Sequence, residues 1–287
     1  MTLSGQFDLV KIEQLLSSAT NPRQKAMYQA LLEKAQQQQQ QQTLPVSEPD
    51  ASEQTAAEAE PRAIFQAIGV IKGEVNFSDD GKATVTLRGK EYSLLCASPK
   101  RRAYEALKKE IEATGNHLQR LIVYPKAIHF PKRDQPHVLA FQLVGFDKGL
   151  DQSGVAQELN DFEFKLKGLW QFIPVCRTPC ISVQRNFTSE RLEYIKQADP
   201  AKRIRFMKAS HLPLLWRDAP LQPFRFNPKA GFDQGHPAFV QVKAKFLPQR
   251  DVFGFSEQLA SPSEKAPRFL KASKKDKAFG QRFGRDH

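Results

Sequence analysis

Apolar and polar residues alternate along this 287-residue chain in stretches of strand length. Over residues 82–88, Ala83, Val85 and Leu87 fall on one face, and Lys82, Thr84, Thr86 and Arg88 on the other. Phe162, Phe164, Leu166, Gly168, Trp170 and Phe172 alternate with Glu163, Lys165, Lys167, Leu169, Gln171 and Ile173, which predicts a long strand with one strongly apolar face. Val240, Val242, Ala244 and Phe246 repeat the pattern against Gln241, Lys243 and Lys245. Further strands are predicted over 64–75, where Ala67, Gly69 and Gly73 keep one face small, and over 118–124, 127–130, 138–146, 181–185, 212–216 and 222–227. Helical spacing appears over 101–114, with Tyr104, Leu107 and Ile111 on one side and Gly115-Asn116 as a stop. A second helix is predicted over 188–198, capped by Thr188 or Ser189, while 203–207 fits strand or helix equally. Asp79-Asp80-Gly81 reads as a turn, and Arg88-Gly89-Lys90 as a tight turn or bulge.

These elements group into two β-rich units, 61–150 and 158–260. The first runs strands, helix, strands. That order resembles the OB-fold, a five-stranded Greek-key barrel with a helix between its third and fourth strands. The resemblance is one of architecture and carries no residue roles. The second unit repeats the outline, with a long leading strand, a helix in the middle and a closing strand. Before them, residues 1–35 predict a helical interaction segment, in which Leu9, Ile12, Leu15 and Leu16 share a face and Asn21-Pro22 starts a second helix. Residues 36–60 open with seven glutamines and hold no apolar periodicity, the composition of a disordered linker. Periodicity is also lost from residue 261, where a basic disordered tail, 261–287, is expected. The expected fold is therefore mainly β with some helix (α+β), built as two tandem small OB-like β-barrels with a helical arm, a linker and a tail.

Charge refines this picture. The formal net charge is +12, but residues 1–60 carry four Lys or Arg against eight Asp or Glu, whereas residues 151–287 carry twenty-four against fourteen. An acidic arm precedes a basic body, and a basic body attracts polyanions. No apolar run is long enough to cross a bilayer as a helix, and no secretory signal opens the chain, so neither a membrane partner nor export is expected. The three cysteines, Cys96, Cys176 and Cys180, are sparse and odd in number, which fits a reducing cytoplasm. Cys176-Arg-Thr-Pro-Cys180 lacks a second pair of ligands at zinc spacing, so no metal is assigned.

The six histidines form no paired motif, although His129 and His137 bracket a Pro-Lys-Arg loop across which they can meet. No phosphate-cradling glycine loop and no nucleophile elbow occurs, and the expectation is a protein without catalytic residues or cofactor. The positive signal lies in cations beside aromatics, the composition of a surface that holds phosphates and stacks bases. The candidate nucleic-acid-binding residues are Lys100, Arg101 and Arg102 before the first helix and Tyr124, Lys126, Lys132 and Arg133 around one loop. Lys165, Lys167, Lys243 and Lys245 join them as outward positions of two strands that a closed barrel makes neighbours. Arg225 lies between Phe224 and Phe226, and Lys274 and Lys275 lie in the tail. The function expected is nucleic-acid binding, RNA before DNA, with a protein partner for the N-terminal helices. The alternative is a protein-interaction scaffold that recognises an acidic partner.

Overall fold

The computed structural model describes residues 63–78, 81–97, 100–132, 134–149, 154–229 and 234–273, together with Lys25, Gln29 and Asp276. The expected N-terminal helices, the glutamine linker, the Asp79-Asp80 turn, Arg133, Lys274, Lys275 and the last eleven residues lie outside that set. Residues 61–287 form one compact unit.

Its first half is a closed five-stranded β-barrel, consistent with an OB-like barrel. The strands are β1 (Gln66–Phe77), β2 (Ala83–Leu87), β3 (Lys90–Leu95), β4 (Leu118–Ile128) and β5 (Val138–Asp147). They pair in the order β1–β2–β3–β5–β4, and β4 closes back on β1. All contacts are antiparallel except β3 with β5. The predicted Arg88-Gly89 turn is a two-residue hairpin loop between the paired Leu87 and Lys90. Both loop residues take positive φ, at 50° and 82°, which matches the twist of the flanking strands. Helix α1 (Arg101–Thr114) lies between β3 and β4 in sequence, buries Leu107 and Ile111, and ends at Gly115 in the left-handed conformation. Tyr104 of α1 meets Phe77 edge to face at 5.3 Å. The strands predicted separately over 118–124 and 127–130 are one strand, β4, running through Pro125. Proline is tolerated there because β1 pairs with β4 only as far as Val123, so at Pro125 one edge of β4 needs no donor.

After a short helix, α2 (Val155–Glu158), the second half begins with β6 (Glu163–Phe172), which pairs with β7 (Pro179–Val183) and with β11 (Phe239–Leu247). Strand β7 pairs with β9 (Ser210–Leu215), β9 in parallel with β12 (Val252–Ser263), and β12 with β11. Between β7 and β9 come β8 (Arg185–Asn186) and two helices, α3 (Ser189–Gln197) and α4 (Pro200–Met207). The undecided segment 203–207 is thus helical, and Pro200 at its first turn starts it. Strand β10 (Phe224–Arg225) is a two-residue remnant of the strand predicted over 222–227.

Two strands carry no period-2 signal. Strand β12 buries only Val252 and Phe253, and from Ser256 it is mostly exposed and reaches β11 through bulges, so its side chains do not alternate. The expected irregular tail from 261 differs from the structure as far as it is described. Strand β13 (Phe269–Leu270) pairs with β8, Leu270 is buried, and Phe269 meets Phe65 edge to face at 5.4 Å. Two apolar residues surrounded by cations anchor this segment without showing a period.

The halves meet at β1. Its first residues, Gln66–Gly69, pair with β6, and from Gly69 to Glu74 it pairs with β4. Glycine is required at the crossing. A Cβ on Gly69 would lie 2.2 Å from Phe164 Cδ1. One apolar core runs through both halves, with Tyr92, Phe141, Phe164, Phe246 and Phe253 in contact with one another. The Tyr92 hydroxyl donates to Asp251 at 2.8 Å, and burial, reinforced by that carboxylate, raises its pKa. Arg120 clamps the connection between the halves. It donates to Asp147 at 2.6 Å, to Asp161 at 2.8 Å, and to the carbonyls of Ala156 and Leu159 at 2.8 and 2.7 Å.

Candidate nucleic-acid interface

Where β1 leaves β4 for β6, the edge of β4 past Val123 is left open, and a cleft of about 520 Å³ forms beside it. One wall is Tyr124–Ile128 of β4 with Ile64–Ala67, and the other is Val183–Asn186, Arg191, Arg205 and Lys208–Ser210. Asn186 ties the walls together. Its side chain accepts from the Phe65 N–H and donates to the Phe65 carbonyl, both at 2.8 Å. Helix α3 is set by Thr188, whose hydroxyl accepts from the Arg191 N–H at 3.2 Å, and Arg191 in turn donates to the Asn186 carbonyl at 2.9 Å. The small core of Ile195, Met207 and Leu270 fixes α4 against α3, so Arg205 and Lys208 stay at the cleft.

Five cations line this cleft, Lys126, Arg185, Arg191, Arg205 and Lys208, and no Asp or Glu does. None of the five forms an ion pair with a described residue. Arg185 lies over the Phe206 ring at 4.6 Å and donates through Nε to the Phe206 carbonyl at 3.2 Å. Desolvation by the cleft walls and then the nearby Arg185 hold the Lys126 ammonium below its ordinary pKa. Desolvation and then Arg191 do the same to Arg185. With no carboxylate among the described lining residues, these like charges repel one another, and an anion between them relieves that cost.

The other sequence candidates lie elsewhere. Lys100, Arg101 and Arg102 are exposed at the start of α1, with Arg101 3.6 Å from Glu105. Lys132 is exposed, and its carbonyl accepts from Arg177. The four strand lysines do come to neighbouring strands, with Lys243 opposite Lys165 and Gln241 opposite Lys167. Two of the four are already paired with acids, however. Lys165 pairs with Glu158, Lys243 with Glu257 at 3.2 Å, and Lys245 sits opposite Glu163. Arg225 lies over the Phe172 ring at 4.3 Å. Among the described residues of the predicted set, only Tyr124 and Lys126 line the cleft. Arg185, Arg191, Arg205 and Lys208 were not singled out. The last two stand i, i+3 and would have been legible had 203–207 been assigned to a helix. Arg185 and Arg191 are lone cations with no pattern around them.

A second, smaller cavity of about 130 Å³ is lined by His129, His137, Cys176 and Arg177 among others. The two histidines meet as their sequence positions allowed, with ring centroids 5.4 Å apart. Each donates through Nε2 to a carbonyl, His129 to His211 at 2.7 Å and His137 to Asp251 at 2.6 Å. Burial lowers the His129 pKa. Cys176 and Cys180 are buried free thiols, and Cys180 donates to the Gln171 carbonyl at 3.4 Å. The Cys176 thiol, aided by His211, holds Cys180 below its ordinary pKa. Ser182 donates to or accepts from His211 Nδ1 at 2.7 Å. Among the described residues no three His, Cys, Asp or Glu side chains gather closely enough to hold a metal ion. No known protein family matches this chain, and no curated protein is similar to it.

Proposed function

We propose that this protein is a non-enzymatic, cytoplasmic nucleic-acid-binding protein, with RNA favoured over DNA, and that the cleft beside β4 is its principal contact surface. The observation that carries the reading is the set of five cations in one cleft with no acidic side chain among the lining residues. Such a surface favours a polyanion, and phosphate contacts supply most of the affinity of sequence-independent binding. RNA is favoured because a cleft of this size suits an unpaired strand rather than a duplex, and RNA is commonly recognised unpaired.

We further read the second half as another OB-like barrel. In support, the ladders β6–β7–β9–β12–β11–β6 repeat the order β1–β2–β3–β5–β4–β1, and in each ring the third and fourth strands of that order are the parallel pair. Barrels of this kind take oligonucleotides on the strand faces and loops. The N-terminal helical segment is read as the docking element for a protein partner.

The test is fluorescence anisotropy of the full-length protein with a labelled single-stranded RNA across a salt series. Binding that weakens steeply with salt is expected. No binding tighter than about 10⁻⁴ M, the weak end of non-specific association, refutes the proposal. Capture of an acidic protein without nucleic-acid absorbance would favour the scaffold reading in its place.

A further inference from the structure

The geometry points to a nucleotide-sized subsite in the cleft, in which Lys126, Arg185 and Arg191 hold one backbone phosphate and the apolar wall around Tyr124 receives one unpaired base. This inference rests on the nucleic-acid reading and adds to it the state of the strand, single rather than double, and the division of labour between the walls.

Two independent observations carry it. The first is electrostatic. Lys126, Arg185 and Arg191 all line this one cleft, and no Asp or Glu lines it. The three cations therefore border one shared space that an anion can enter. Their backbone-directed hydrogen bonds, Arg185 to Phe206 and Arg191 to Asn186, orient the guanidinium groups and leave further N–H groups on each without a partner among the described residues. A phosphodiester, with its non-bridging oxygens, matches that arrangement.

The second observation is apolar. Of the eleven large hydrophobic residues left exposed among the described residues, Ile64 at 46%, Tyr124 at 38% and Ile128 at 49% line this one cleft. A site for free phosphate alone has no use for them. An amphipathic ligand, charged on one side and flat and apolar on the other, has. In a duplex the base faces are already stacked and cannot reach Tyr124, whereas an unpaired nucleotide offers both parts at once. The volume of about 520 Å³ lies within the range of sites that enclose one small molecule, about 300–1,000 Å³.

The experiment compares three probes on the full-length protein by anisotropy: a labelled eight-nucleotide single-stranded RNA, the same sequence as a duplex, and an abasic strand of equal phosphate count. The single strand is expected to bind about tenfold tighter than either alternative, as one stacked base predicts. Tyr124→Ala is expected to abolish that advantage while leaving the salt dependence unchanged. Arg185→Gln is expected to lower the slope of log affinity against log salt by about 0.7. Both side chains are exposed, and thermal melts of the variants check that the fold is kept. If all three probes bind equally and Tyr124→Ala changes nothing, the subsite is refuted while the nucleic-acid reading stands. If none of the probes binds, the nucleic-acid reading itself falls. Polyglutamate of matched charge competing as well as the RNA overturns the subsite too, because charge alone would then explain the cleft.

Discussion

Replacing Arg120 by Gln tests the connection that holds the two halves together. The guanidinium is only a quarter exposed and makes four hydrogen bonds, two of them to carboxylates and two to the carbonyls of Ala156 and Leu159. Asp147 is only 10% exposed and loses its counter-ion in the variant. Removing one partner of a buried ion pair costs about 3–5 kcal/mol, and the exposure of Arg120 and Asp161 argues for the lower end, about 3 kcal/mol. For a unit of this size each kcal/mol moves Tm by about 2–4 °C, so a fall of about 6–12 °C is expected at pH 7. The pH dependence supplies a second check. The Gly149 N–H and then Arg120 hold Asp147 below its ordinary pKa. A depressed carboxylate stabilises the fold above its unfolded pKa, about 3.9, and that contribution is lost as pH falls through the lower folded value. The difference between wild type and Arg120→Gln is therefore flat near neutrality and narrows as pH falls below about 4. Melts by circular dichroism from pH 3 to 7 measure it. A Tm within 2 °C of wild type at pH 7, where about 6 °C or more is expected, or a gap that does not narrow in acid, refutes the clamp.

Gly69→Val places a branched side chain where a Cβ already lies 2.2 Å from the Phe164 ring, and a loss of about 3 kcal/mol is expected in urea melts. Cys176→Ala is expected to raise the pH at which the Cys180 thiolate appears in ultraviolet absorbance, because the neighbouring thiol no longer donates to it. Arg205→Gln combined with Lys208→Gln is expected to reduce the salt slope of RNA binding by about 1.4 without a change in Tm, since each neutralised contact to a single strand removes about 0.7. Charge removal at Lys165 and Lys243 is expected to have a smaller effect than at the cleft, because both already pair with acids.

The sequence by itself determined the strands with two distinct faces. The stretches around Val85, Phe164 and Val242 alternate because each buries one face and wets the other, and a period of two survives in the residue order. It also determined α1, whose stripe and terminal glycine are local signals, and narrowed Arg88-Gly89 to a turn or a bulge, which the structure resolves as a hairpin loop. The pairing of β6 with β11 was legible too, since a closed barrel must join a leading strand to a returning one. The tertiary structure alone decided the rest. Strand β12 hides because it is bulged and mostly wet, and β13 because two apolar residues are too few to show a period. The cleft is the strongest case. It exists because β1 abandons β4 at Gly69 and pairs with β6, which opens an edge that no residue pattern announces. Its cations come from β4, β8, α3 and α4 and from just past α4, far apart in sequence, and each looks like an ordinary surface charge until the chain folds. Conversely, the strand lysines form the more regular pattern in sequence, yet folding brings Glu158 and Glu257 against them. Periodicity records which face of one element is buried. It cannot record which charges from different elements converge, or which arrive with a partner, because that depends on distances in space.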